Sequence, residues 1–262
     1  LASGFMGTIS GSSIANTVTT GAFTIPLMKR SGYKPEFAGG VEASASSGGQ
    51  ILPPVMGAAA FLIVQYTQTP FADVIVAATI PAIVFFFGGG WRRGNPAQFY
   101  EHCRYLAGRG MVAMTADYRV YARHGVKPRT CVADAKSAVR WIRAHADRLG
   151  VDPDRIAAGG GSAGGHLAAA TATLPAYDDP QDDRSVSARP NALALFNPAL
   201  VLAPVPGTFE MPGARIVKLT ERLGVDPASL STYRHVTPDT PPAIIFHGTA
   251  DATVPYESVA LF

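Results

Sequence analysis

The stretch Arg155-Ile156-Ala157-Ala158-Gly159-Gly160-Gly161-Ser162-Ala163-Gly164-Gly165-His166 decides the fold. Arg155 to Ala158 reads as a strand that enters a glycine turn, and the alanine-rich run Gly165 to Thr173 reads as a helix. The turn fits G-x-S-x-G at Gly160, Ser162 and Gly164. A serine between strand and helix projects its hydroxyl, and small neighbours let the chain pass closely. The next amide, that of Ala163, heads the helix and can point at an oxyanion. A glycine turn with an incidental serine is the plainer reading. Gly159, Gly161 and Gly164 also satisfy the dinucleotide pattern G-x-G-x-x-G, which wants an acid about 20 residues on, at the end of the next strand. Here Asp178, Asp179, Asp182 and Asp183 fall in a Pro/Asp-rich loop instead. No Lys-Ser or Lys-Thr follows the glycines, so a Walker loop is excluded.

Upstream, Ile83-Val84-Phe85-Phe86-Phe87 reads as a strand that stops at Gly88-Gly89-Gly90-Trp91. Ala97 to Arg109 reads as a helix and Met111 to Thr115 as a second strand. Val132 to Leu149 is a longer helix, with Val132, Ala135, Val139, Ile142 and Leu149 near one face. Downstream, Ala192 to Phe196 and Ala243 to Phe246 read as strands. Short apolar strands alternating with helices imply a mainly parallel sheet covered on both faces. The last strand runs into His247-Gly248-Thr249-Ala250-Asp251, where Asp251 sits as an acid that could orient a catalytic histidine. A solvated loop aspartate is the alternative, and His247, which ends the strand, reads as structural.

Glycine loop, serine elbow and acid, in that order, resemble the α/β-hydrolase fold of the esterase/lipase group, with a hormone-sensitive-lipase-like glycine loop. Phe87 stands where that loop's histidine would be. Ala116-Asp117-Tyr118-Arg119, Asp152-Pro153 and Ser162-Ala163-Gly164-Gly165-His166 also match the group. The resemblance makes Ser162 the nucleophile, Asp251 the acid, and Gly88, Gly89 and Ala163 the oxyanion neighbourhood. It implies acyl transfer on a small-molecule ester, with no metal and no cofactor. In this fold the catalytic histidine follows the acid. The six histidines are His102, His124, His145, His166, His235 and His247, and none follows Asp251. The expectation is therefore an incomplete α/β-hydrolase domain at 81–262, lacking its first strands and its C-terminal end. It is expected to be inactive as it stands.

Residues 1–82 differ in composition. They hold six charges, Lys29, Arg30, Lys34, Glu36, Glu42 and Asp73, against thirty-five in the rest of the chain. Gly7-Thr8-Ile9-Ser10-Gly11-Ser12-Ser13-Ile14-Ala15-Asn16 leads into Thr19-Thr20-Gly21-Ala22-Phe23-Thr24-Ile25-Pro26-Leu27-Met28. A second small-residue run, Ala43-Ser44-Ala45-Ser46-Ser47-Gly48-Gly49-Gln50, leads into Ile51-Leu52-Pro53-Pro54-Val55-Met56-Gly57. These runs resemble the large membrane subunit of TRAP-type dicarboxylate transporters, and imply a membrane-permease-like helical fragment at 1–80 with membrane association through it. Ile51–Tyr66 is short of the roughly 20 apolar residues that span a bilayer, and a buried helix is its other reading. The sequence thus reads as a join of two fragments, chimeric, with its seam near Thr79-Ile80-Pro81-Ala82. A fragment of the transporter is the alternative to the hydrolase as the functional identity.

Composition bounds the rest. Across 262 residues the net charge is +3, with 47% hydrophobic and 16% charged. That excludes disorder and gives no argument for nucleic acid. Two cysteines, Cys103 and Cys131, exclude a disulfide scaffold and are expected to be reduced thiols. Localisation, acyl specificity and oligomeric state are not legible.

Overall fold

The computed structural model describes Met6, residues 12–48 and residues 80–262. The chain divides into two compact units, Leu1–Thr79 and Ile80–Phe262. The apolar run Ile51–Tyr66 lies outside the described residues.

In the first unit, helix α1 (Ser13–Arg30) packs on helix α2 (Pro35–Gly48). The Ser12 side chain caps α1 by accepting from the amide of Ala15 at 3.2 Å. The pair has its polarity inverted. Ile14 and Phe23 are each 78% exposed, whereas Glu42 is 2% exposed and Asn16 and Ser46 are buried. Thr20 Oγ1 donates to Glu42 Oε1 at 2.6 Å, Thr24 donates to the other carboxylate oxygen, and Asn16 Nδ2 donates to Ser46 Oγ at 3.0 Å. A buried carboxylate is held only where donors replace its water. No helix among the described residues is long and apolar enough to cross a membrane, so the membrane-like reading of 1–80 finds no spanning helix among them.

The second unit is a five-stranded sheet in the order β2-β1-β3-β4-β5, parallel throughout. The strands are β1 (Ile80–Phe86), β2 (Val112–Ala116), β3 (Val151–Gly161), β4 (Ala192–Phe196) and β5 (Ala243–Phe246). Helix α3 (Tyr100–Ala107) follows β1, α4 (Pro128–Ala144) follows β2, α5 (Ala163–Thr173) follows β3, and α6 (Gly213–Leu223) precedes β5. The mainly parallel α/β architecture expected from the alternating strands and helices is the one observed.

Several boundaries differ from the sequence reading. Strand β3 runs on through Gly159, Gly160 and Gly161, which pair with Phe85 and Phe86 of β1 and with Ala194, Leu195 and Phe196 of β4. The glycines are ladder residues, and the turn begins only at Ser162. That geometry also removes the dinucleotide reading, which needs its first glycines in the loop. Helix α4 starts four residues early because Pro128 fits the first turn of a helix, where its missing N–H costs nothing. It ends at Ala144, and Leu149 belongs to a separate turn, Ala146–Leu149. The expected helix 97–109 begins as a 3-10 turn, Pro96–Phe99, capped by the Asn95 side chain.

The core lies between the sheet and helices α4 and α5. Val132, Ala135, Val139 and Ile142 of α4 are buried against Leu167, Ala168 and Ala169 of α5, beside Val84 and Phe86 of β1. Gly164 sets the distance between α5 and β1, because a Cβ there would stand 1.9 Å from the Phe86 carbonyl oxygen. We expect Gly164→Ala to cost about 3 kcal/mol, the upper end for overpacking, read as a lowered Tm.

His166 is fully buried within α5. Its Nε2 lies 2.8 Å from the Leu230 carbonyl, which can only accept, so Nε2 carries the proton. Burial holds the imidazole down to about 4, against a carbonyl contact that pulls the other way. The folded value is depressed, so the unfolded chain binds the extra proton first. Its stabilisation is complete above about pH 6.5 and is lost as pH falls from there toward 4. The loss is at most about 3 kcal/mol. Urea unfolding at pH 7 and pH 4.5 should show a smaller difference for His166→Asn than for the parent chain.

Candidate active site

Four strand ends meet at the carboxyl edge of the sheet, where open α/β folds place their ligands. β1 delivers Phe87 and the glycine loop, β3 delivers Ser162, β4 delivers Asn197, and β5 delivers His247 to Asp251. The adjacency is backbone-made. The Ser162 amide donates to Phe196 O at 2.9 Å, and the Asn197 amide donates to Phe246 O at 2.8 Å.

Ser162 has φ 53° and ψ −115°. A non-glycine residue held in that region costs of order 1–3 kcal/mol and persists only where its surroundings over-determine it. Here the amide is bound to β4, and the Ser162 carbonyl accepts from the amides of His166 and Ala199. Among the described residues, the hydroxyl has no protein partner. It opens into a cavity of about 280 Å³ together with Gly89, Gly90, Trp91 and Ala163.

The glycine loop bends sharply at Gly89, with φ 122°. A Cβ there would fall 2.1 Å from the Arg93 carbonyl oxygen, so only glycine fits. Tyr118 anchors the loop from below. Its hydroxyl donates to Phe87 O at 2.7 Å, and its ring stacks on Phe87 at 4.1 Å. Trp91 closes the loop edge-on to His166, with ring centroids 5.1 Å apart. The Trp91 indole N–H, a donor, and His166 Nδ1, an acceptor, are both buried and have no hydrogen-bond partner among the described residues.

The expected oxyanion residues are not equivalent. Gly89 and Ala163 line the cavity. Gly88 lies near Ser162, but its amide donates to Gln98 Oε1 at 2.6 Å. Gln98 carries no motif, so sequence reasoning missed it.

Asp251 stands on the loop after β5. Oδ1 accepts from the amides of Thr253 at 2.7 Å and Val254 at 3.0 Å, and Oδ2 accepts from Asn197 Nδ2 at 2.9 Å. The Val254 and Thr253 amides, helped by Asn197, hold the carboxyl below the usual carboxylate range. Asn197 has φ 45°, a conformation asparagine tolerates, and was also missed. His247 braces the same loop, with Nε2 2.8 Å from Val254 O and 3.8 Å from Asp251 Oδ2. No histidine is among the residues lining the cavity. His102 packs in the Phe85, Phe99 and Phe196 cluster, and His124 Nδ1 accepts from the Val120 amide.

Other sequence features lie away from the site. The cysteines are free, and burial pushes the Cys131 thiol up to about 12. Lys136, Asp178, Arg140 and Asp182 form a partly buried ion network beside α4, which accounts for two aspartates of the Pro/Asp-rich loop.

Comparison with known proteins agrees with this architecture. A family model described as "alpha/beta hydrolase fold" matches residues 83–252. One described as "Tripartite ATP-independent periplasmic transporter, DctM component" matches residues 1–141. The two overlap over 83–141, a stretch that here builds most of β1, all of β2 and most of α4. Esterase LipC of Mycobacterium tuberculosis is 31% identical over 201 residues, covering 70% of this chain and 47% of its own length. Structures of Thermogutta terrifontis esterase 2 share its fold. The sarin-phosphonylated form has a TM-score of 0.67 at 55% identity, covering 70% of this chain and 66% of that one. The butyrate-bound form has a TM-score of 0.65 at 56% identity, with 70% and 66% covered. The chain spans about half the length of the curated relatives it matches. It belongs to the α/β-hydrolase fold family, and its N-terminal stretch to the family of the DctM component of tripartite ATP-independent periplasmic transporters.

Proposed function

We propose that the second unit is built for carboxylic-ester hydrolysis by acyl transfer. The observation that carries this is Ser162, held at positive φ on a strand-to-helix turn at the floor of a cavity rimmed by the glycine loop. In this reading Ser162 Oγ attacks the ester carbonyl. The amides of Ala163 and Gly89 receive the developing oxyanion, where one such donor contributes about 3–4 kcal/mol of transition-state stabilisation. Gly88 joins them only if Gln98 releases its amide. Asp251 is the orienting acid, kept ionised and aimed by the Val254, Thr253 and Asn197 contacts. Relatives solved with propionate and with butyrate bound support a short acyl group, as does the small cavity.

The group that takes the Ser162 proton is not among the side chains lining the cavity. A serine without a base is a weak nucleophile. Fluorophosphonate labelling of Ser162 in the 262-residue chain, followed by mass spectrometry, should therefore run at least about a thousand-fold slower than in a working serine esterase. Imidazole in the buffer should accelerate it. Labelling at a working enzyme's rate would show that a base is in place, and modification elsewhere with Ser162 untouched would remove the nucleophile assignment.

The domain reading follows the same division, with a permease-like fragment at 1–80 and the hydrolase domain at 81–262. For the fragment we propose association with a membrane, supported by the inverted polarity of α1 and α2. Ile14, Val18, Phe23 and Leu27 face out while Glu42 is enclosed. Water penalises that arrangement and lipid does not. Detergent phase separation should carry the chain into the detergent phase; quantitative recovery in the aqueous phase would remove this proposal.

A further inference from the structure

The acyl transfer proposed above gives no role to the charges that line the Ser162 cavity. Arg215 and Arg222 line it from α6, with Leu219 between them. Spacings of four and three put all three on one helix face. Val201, Leu202, Phe209 and Met211 line it too, and Leu219 packs against Val201, Phe209 and Met211. No Asp or Glu is among the lining residues, so the cavity holds two permanent cations and no lining anion.

Neither cation has a salt-bridge partner among the described residues. Arg215 is half-buried and donates from Nη2 to the Thr253 carbonyl at 2.8 Å, a contact that orients the guanidinium and leaves its charge uncompensated. Arg222 sits at the exposed mouth and makes no hydrogen bond or ion pair among the described residues. Its guanidinium lies over the glycine loop, since a Cβ on Gly90 would stand 3.3 Å from Nη1. By contrast Arg119, Arg123 and Arg140 are each paired with an aspartate.

We propose that this cavity selects esters carrying a carboxylate, the half-esters of short dicarboxylic acids, with Arg222 and Arg215 reading the free carboxylate. This rests on the ester-hydrolase reading above. The scissile carbonyl sits over Ser162, the methylenes lie against the Val201 to Met211 wall, and the far carboxylate meets the guanidinium pair. Arginine suits that task because its planar fork matches a carboxylate in two parallel hydrogen bonds. In the overall reaction the acyl C–O bond breaks, water's oxygen ends on the acyl carbon, and its hydrogens end on the released alcohol and the new acid. The products are a dicarboxylic acid and a neutral alcohol.

The test separates binding from turnover. In the Ser162→Ala chain, binding of monomethyl glutarate and of dimethyl glutarate is followed by ligand-observed NMR. We expect the half-ester to bind at least about ten-fold tighter. The preference should shrink to about two-fold or less in the Arg215→Gln, Arg222→Gln double variant, and fall as salt is raised. Equal affinity for the two esters overturns the proposal, and so does a preference that survives the double substitution. Binding of neither ester overturns it as well. Fluorophosphonate labelling of the unsubstituted chain at Ser162 then shows whether the ester-hydrolase reading stands without it.

Discussion

The approach of α5 to the end of β1 is the constraint on which the site depends. Gly164 lies where any side chain would collide with the Phe86 carbonyl, and that contact brings the last residues of β1 beside Ser162. The glycine loop leaves β1 close to the serine, since a Cβ on Gly88 would stand 3.5 Å from the Ser162 Cβ. Tyr118 fixes the loop from one side and Trp91 from the other. The proposed oxyanion neighbourhood thus follows sheet register: β1 and β3 are hydrogen-bonded neighbours, and the loops after them open into one cavity. Nothing in this arrangement needs the loop histidine that Phe87 replaces, because the anchoring is done by Tyr118 and by packing.

Most of the second unit was legible in the sequence because its signals are local. Short apolar strands, the G-x-S-x-G turn and the alanine-rich helix are each read from a dozen residues. What escaped was non-local. Gln98 meets the Gly88 amide across ten residues, and Asn197 meets Asp251 across fifty-four. Neither belongs to a spacing pattern, because a side-chain hydrogen bond between two loops leaves no periodicity. A positive φ at a strand end is the one local hint Asn197 offers, and many loop asparagines share it. The strand through Gly159 to Gly161 was misread for the opposite reason: glycine is a turn signal in isolation, and only close-packed neighbours on both sides make it a strand residue.

The first unit shows the same limit from another side. Its Gly, Ser and Thr content was plain, but not the direction in which its helices face. Periodicity locates an apolar stripe without saying what covers it. The structure shows Thr20 and Thr24 turned onto Glu42 and the apolar side chains turned away. Among the few charged groups, Glu42 closes the contact between the two helices.

The positive φ of Ser162 also has a consequence for how this chain would respond to selection. Glycine would occupy that backbone conformation without strain, so the exchange would favour the folded state while deleting the hydroxyl. Heat tolerance and reactivity thus pull in opposite directions at one position. A screen that scored survival at high temperature alone would drift toward an inert, sturdier protein, and the drift would begin at the elbow.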